Sequence, residues 1–229
     1  MIFNIPVGGK RTAAVSVYGA VGETITLTHS DGTVYTASNG GALELPVGTY
    51  TVKGGTSGYS KSVTVVRKTT RINAYPDGAV YWYGREVQPM LALANNTFGY
   101  INATKYTGYV ELRAQAQYEK GVSAASASLL TQNTIDLSKW TTIKFVANYV
   151  SSSGSNGYKK ANFGYIDNTN NANGELTGLQ LSSPTGTKST YSVPAPDLTR
   201  YVGAQAYASW NGYQGLKDSR VYVYAIWLE

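Results

Sequence analysis

Arg220-Val-Tyr-Val-Tyr-Ala-Ile-Trp-Leu228 closes the chain without a glycine or a proline, and most of its positions carry a ring or a β-branched side chain. In an extended backbone successive side chains face opposite ways. Val221, Val223, Ala225 and Trp227 then fall on one side, Tyr222, Tyr224 and Ile226 on the other. Apolar bulk on both sides is the pattern of a strand covered twice, by a core beneath and by a neighbouring domain or subunit above. Segments upstream repeat the alternation. Thr142-Ile-Lys-Phe-Val-Ala-Asn-Tyr149 puts Ile143, Phe145, Ala147 and Tyr149 on one face, and 106–118, 162–166 and 201–207 alternate in the same way. Residues 97–229 therefore read as one large β-sandwich.

The first part of the chain reads as a smaller sandwich. Short runs at 15–18, 24–28, 34–37, 43–48, 49–53, 61–66 and 70–75 are separated by Gly and Ser. Parallel strands would need helical stretches between them, so these runs predict an Ig-like antiparallel domain over 1–75. Asp31-Gly32 is a hairpin signal. The same turn word recurs in Asp31-Gly-Thr-Val-Tyr35 and Asp77-Gly-Ala-Val-Tyr81. Two hairpins sharing one turn chemistry account for it without an internal duplication. Residues 76–96 read as a junction. Within it 79–83 is a strand, and 87–94 is either extended or one short helix opened by Pro89. The expected fold class is all-β, with two antiparallel β-sandwich domains.

The composition limits the chemistry. There are 20 tyrosines against 4 phenylalanines, no cysteine, one histidine and 13 carboxylates in 229 residues. A tyrosine joins a large apolar ring to a hydroxyl, which suits half-buried strands, subunit contacts and surfaces that grip polar ligands. Charged residues make up 14%, below the usual quarter. The net charge of +6 is spread over small groups, Lys10 and Arg11, then Arg67, Lys68 and Arg71, then Lys159 and Lys160. No basic arm or nucleic-acid-binding signature is present, so nucleic acid is not an expected partner, and the charge favours acidic cell-surface polymers. No apolar run reaches 18 residues, and no membrane span is expected. Residues 1–10 lack the basic and apolar regions of an export signal. A chain composed like an external protein yet lacking that signal fits a particle component made in a host cytoplasm and released by lysis.

Few constellations can carry catalysis. His29 stands alone beside a hairpin turn, and a thiolate metal site is excluded. Glycoside hydrolysis needs two carboxylates about 5–10 Å apart. Asp31 and Asp77 precede glycines and Asp136 and Asp197 enter loops, so turn roles account for several of the 13. Asp167-Asn-Thr-Asn-Asn-Ala-Asn-Gly-Glu175 is oxygen-rich, but aligning Gly174 with a calcium loop puts Thr169 at the first ligand and Gln180 where the closing glutamate belongs. No catalytic residue, metal or cofactor is expected. The ligand candidates are aromatic loop residues. Tyr158 ends a Ser/Gly/Asn loop, and Trp210-Asn-Gly-Tyr213 sets two rings around a turn. Sugars present C–H faces that stack on rings, while amides bond their hydroxyls. Trp210, Asn211, Tyr213 and Tyr158 are accordingly the candidate glycan contacts. The competing reading has Trp210 capping the core or packing on a neighbouring subunit. Trp82, Trp140 and Trp227 lie in or beside strands and read as core or interface.

Leu45-Pro-Val-Gly-Thr-Tyr-Thr-Val-Lys53 resembles the small β-sandwich signature of carboxypeptidase-regulatory-like and PEGA-type domains. Ile135-Asp-Leu-Ser-Lys-Trp140 before a strand, together with the closing strand, is similar to jelly-roll modules of bacteriophage tails and carbohydrate-binding proteins. The whole arrangement looks like prophage-encoded tail, fibre or baseplate proteins of Gram-positive hosts. The resemblance implies a non-enzymatic virion structural or attachment protein, working as a homo-oligomer with other virion proteins and contacting host surface glycans. A carbohydrate-binding adhesin module and a head-surface or neck decoration protein are the alternative expectations.

Overall fold

The structure, a computed structural model, describes residues 11–95, 101–117, 124–151, 158–167, 175–209 and 216–229. The chain divides into two compact units, Met1–Pro76 and Asp77–Glu229. Both are built from strands packed as sandwiches, so the fold is all-β.

Unit 1 contains β1 (Thr12–Tyr18), β2 (Thr24–His29), β3 (Val34–Ser38), β4 (Ala42–Pro46), β5 (Gly48–Gly54), β6 (Ser60–Val65) and β7 (Arg71–Asn73). They form a three-stranded sheet, β4-β1-β7, and a four-stranded sheet, β3-β2-β5-β6. Every pairing is antiparallel except β1 with β7. Period-two alternation sends Val15, Val17, Ile25, Leu27, Leu45 and Val52 inward. Tyr50 joins them fully buried, and its hydroxyl stays satisfied by donating to the Pro46 carbonyl at 2.8 Å.

Glu23 is a buried structural acid, 1% exposed. Its Oε2 accepts the Ala20 N–H at 2.6 Å, and its Oε1 accepts the N–H groups of Thr56 and Ser57 and the Ser57 hydroxyl at 3.0–3.1 Å. One carboxylate thus ties the β1–β2 loop to the β5–β6 turn. Gly19 and Gly54 make room for it, since a Cβ on either would lie 2.3 Å from a carboxylate oxygen.

Unit 2 contains β8 (Ala79–Trp82), β9 (Arg85–Glu86), β10 (Met90–Asn95), β11 (Ile101–Tyr106), β12 (Tyr109–Gln117), β13 (Ala124–Thr131), β14 (Ile135–Asp136), β15 (Thr142–Ser151), β16 (Tyr158–Ile166), β17 (Thr177–Leu181), β18 (Ser189–Pro194), β19 (Thr199–Ser209) and β20 (Leu216–Leu228). One sheet runs β10-β13-β19-β16-β17, with β14 on β19; it is called the front sheet here. The back sheet runs β11-β12-β20-β15-β18, with β8 on β20 and β9 on β8. Leu112, Phe145, Val221 and Val223 from the back sheet meet Leu129, Phe163 and Ala204 from the front sheet in one core. The Phe145 and Phe163 rings are 5.4 Å apart.

Three expectations need correction. Residues 76–96 are not a junction: β8 pairs with β20 and β10 with β13, inside the sheets of unit 2. The segment after Pro89 is extended, because β13 offers it a ladder along its length. Asp77-Gly78 is not a hairpin turn. It leads from β7 of unit 1 to β8 of unit 2, and Gly78 is small because a Cβ there would lie 2.3 Å from the Leu228 carbonyl oxygen. The hairpin turn is instead Tyr83-Gly84, with φ of 40° and 89°. Finally, β20 does not alternate to its end. Pairing shifts between Ile226 and Trp227 on the β8 side, and opposite Val146 and Ala147 on the β15 side. Ile226 and Leu228 therefore enter the core with Val221 and Val223, and Trp227 turns out to stand 5.8 Å from the Trp82 ring.

Glycines crease the front sheet. Gly178 on β17, Gly164 on β16 and Gly203 on β19 are register partners. A Cβ at Gly164 would sit 1.9 Å from the Thr177 carbonyl oxygen, and at Gly203 1.9 Å from that of Leu129. Three adjacent strands bring backbone against backbone where no side chain fits.

On the back sheet Asp218 accepts both Arg113 (3.0–3.1 Å) and Arg220 (2.8–3.0 Å), with its side chain 8% exposed. Burial disfavours the anion, but the hydrogen bonds from the two guanidinium groups outweigh it and hold the carboxyl below its ordinary pKa. A depressed folded value stabilises fully above the unfolded value of about 3.9 and is lost as pH falls through the folded one. Asp218→Asn should lower the urea midpoint of the wild-type chain at pH 7 and shrink its fall between pH 5 and 2. An unchanged acid limb would refute the assignment.

Candidate functional site

The outer face of the front sheet gathers aromatic and amide side chains from four strands. Ala161 and Phe163 point into the core, so Tyr158, Lys160 and Asn162 of β16 point away from it. Register places Tyr207 beside Lys160, and both Gln205 and Gln180 beside Asn162. Ser128 of β13 lies opposite Gln205.

Lys160 organises this surface. Its Nζ lies 3.0 Å from Glu175 Oε1, and 5.6 and 5.8 Å from the ring centroids of Tyr158 and Tyr207. Glu175 Oε2 accepts the Gln180 amide at 2.9 Å. The cation is thereby neutralised while it lies across two rings. Tyr158 is 63% exposed. Beneath, Asn162 Nδ2 donates to Gln205 Oε1 at 2.8 Å, and Gln205 Nε2 donates to Ser128 Oγ at 3.2 Å. Asn162 Oδ1 is buried and has no partner among the described residues. Leaving an amide oxygen so costs about 1–3 kcal/mol. Asp167, Glu175 and Arg200 line a cavity of about 240 Å³ toward the other end of β16. The surface offers rings, amides and paired charges, which suits an uncharged, hydroxyl-rich ligand.

Of the four sequence candidates, Tyr158 belongs to this site. Trp210, Asn211 and Tyr213 lie outside the described residues, in the segment that follows Ser209, the register partner of Tyr158. The Asn-rich stretch 168–174 lies outside them too. His29 ends β2, with Nδ1 2.8 Å from Asp31 Oδ1 and its ring 4.8 Å from that of Tyr50. Asp136 caps a short 3-10 turn, Leu137–Lys139, and hydrogen bonds from Ser138 and Lys139 lower its pKa to about 2. Trp82 is buried, and Trp140 packs half-buried against the core of unit 2. Among the described residues no three His, Asp or Glu side chains form a metal-holding group.

Lys160, Tyr207, Asn162 and Gln205 were not legible as a site. Alternation marks them as turned away from the core, but their meeting depends on β16 pairing with β19, 43 positions apart at Asn162 and Gln205.

No family model matches the chain, and no curated protein matches it. Among solved structures it is similar to a carbohydrate-binding module of the β-sandwich superfamily, described as having promiscuous specificity, at 14% identity and a TM-score of 0.42, over 96% of this chain and 100% of that one. It is also similar to a low-affinity xylan-binding module from the gut symbiont Roseburia intestinalis, at 9% identity and a TM-score of 0.28, over 59% and 95% of the two chains. A third likeness is to a chain of the infectious bursal disease virus Gx strain, at 10% identity and a TM-score of 0.26, over 98% and 57%.

Proposed function

We propose that the chain is a non-catalytic glycan-binding protein whose front face, around Tyr158, Lys160 and Tyr207, receives a neutral saccharide. The observation that carries this reading is the charge-neutral aromatic surface: Lys160 lies across two tyrosine rings while paired with Glu175, beside the exposed amide of Gln180. Rings stack on the C–H faces of a sugar, and amides exchange hydrogen bonds with its hydroxyls. The test is affinity electrophoresis and calorimetry against neutral polysaccharides. Tyr158→Ala and Tyr207→Ala should each weaken binding about tenfold, equivalent to about 1.4 kcal/mol. A folded wild-type chain that binds no neutral glycan in a broad array would end the proposal.

The sequence resemblance to phage tail and fibre modules supplies a setting for such a protein: attachment, on the surface of a phage or phage-derived particle. Immunodetection of the chain on purified particles checks it, and its absence from them would remove that setting and leave the adhesin module.

A further inference from the structure

The outer face of the back sheet is unlike the front one. Tyr109 on β12, and Tyr222 and Tyr224 on β20, alternate with the core residues Val110, Val221 and Val223. Their rings form a continuous cluster: Tyr109 is 5.7 Å from Tyr222 and 5.6 Å from Tyr224, and stacks on Tyr106 at 4.9 Å. Tyr83 extends the cluster, 6.2 Å from Tyr224.

Two independent features mark this surface. First, Tyr83 is the only non-glycine with positive φ among the described residues, at 40° in the β8–β9 turn. Asn, Asp or Gly fills that slot with less strain, and the tyrosine is held there by its ring, which is 6% exposed and packs on Trp82 at 5.3 Å and Tyr224 at 6.2 Å, so the turn is strained to anchor the cluster. Second, exposed Lys188 places Nζ 5.5 Å from the Tyr83 centroid and 5.2 Å from that of Tyr224. Unlike Lys160, it has no carboxylate partner among the described residues. The other cations on this face have carboxylate partners: Arg113 and Arg220 hold Asp218, and Lys144 lies 3.7 Å from Glu229; Glu111 accepts the Tyr106 hydroxyl at 3.3 Å. One uncommitted cation thus stands over a tyrosine cluster.

We infer that this face is a second binding surface, for an acidic saccharide whose carboxylate or sulfate meets Lys188 while its ring packs against the tyrosines. The inference rests on the glycan-binding reading but not on the front-face site. Charge complementarity selects the occupant, because a neutral sugar leaves Lys188 unanswered and an apolar partner would bury it unpaired.

Native gels containing polygalacturonate, its fully methyl-esterified form or dextran sulfate provide the test. The expected result is retardation of the wild type by polygalacturonate, dextran sulfate or both, and none by the ester. The first two arms distinguish a carboxylate ligand from a sulfate one. Lys188→Ala should weaken retardation at least tenfold and Lys188→Glu abolish it. Tyr109→Ala, at the half-buried ring in the middle of the cluster, should weaken it as well. Lys68→Glu, the same charge change on an exposed residue of unit 1, should leave it nearly intact. Tyr158→Ala and Tyr207→Ala should weaken neutral-glycan binding alone, so the two sites fail separately. Equal losses for Lys68→Glu and Lys188→Glu would show diffuse attraction and overturn the inference. So would Lys188 and Tyr109 variants that change only the oligomeric mass, since the face would then join copies of the chain.

Discussion

Gly203→Ala should leave unit 2 unable to hold its native packing. The added Cβ would fall 1.9 Å from the Leu129 carbonyl oxygen and 2.7 Å from Leu130 Cδ2. The side chain can swing away; the carbonyl cannot, because β13 is laddered to β19 on this side and to β10 on the other. Gly203 is also paired with Gly164 across the crease. Overpacking in a core typically costs about 1–3 kcal/mol, and a clash with fixed backbone lies at or above the top of that range. Against a total stability of about 5–15 kcal/mol, this is a large fraction. Urea denaturation followed by near-ultraviolet circular dichroism would measure it. Gly108→Ala is the reference: Gly108 has φ of 91° with open space around it, so its substitution strains only a turn, at about 1 kcal/mol. A Gly203→Ala chain no less stable than Gly108→Ala would sink the crease argument.

The second large effect is expected in unit 1. Glu23→Ala would strand three backbone N–H groups and one hydroxyl, on two loops that have little else in common. Hydrogen bonds to a charged acceptor contribute about 1.5–3 kcal/mol each when broken singly, and these share one carboxylate, so about 3–5 kcal/mol is expected for the set. Glu23→Gln keeps the shape, but its NH₂ would face donors on one side, and about half the loss should follow. Hydrogen exchange at Ala20, Thr56 and Ser57 should accelerate in both variants, most in Glu23→Ala. Glu44→Ala, an exposed strand position, should change little. Unaltered protection of those three amides in Glu23→Ala would refute the staple.

Strand content was legible because burial imposes a local period, and a run such as Ile143, Phe145, Ala147 and Tyr149 needs no knowledge of its partners. What failed depended on partners. Trp227 changes sides because β20 carries one extra residue, Tyr224, in its pairing with β15, and nothing in its own nine-residue segment signals that shift. Asp77-Gly78 carries a hairpin's residues but serves a close approach to Leu228. Glu23 looked like one carboxylate among 13, since its donors on Thr56 and Ser57 lie more than 30 positions away. Of the candidate site, Tyr158 was readable as an aromatic at the edge of a polar loop. Lys160, Tyr207 and the buried amides required the β16–β19 register. The excess of tyrosine foretold adhesive rings without saying where. Tyr50, Tyr81 and Tyr149 are core, while Tyr109, Tyr222 and Tyr224 dress an outer sheet.

The parallel partnership of β1 and β7 has a mechanical meaning. Ser16, Val17 and Tyr18 lie beside Arg71, Ile72 and Asn73, with both strands running the same way. Tension drawn out through residue 12 at one end and residue 73 at the other slides these strands lengthwise past each other, so the load falls on their cross-links together and cannot unzip them singly. Under a stretching force, unit 1 resists at this seam.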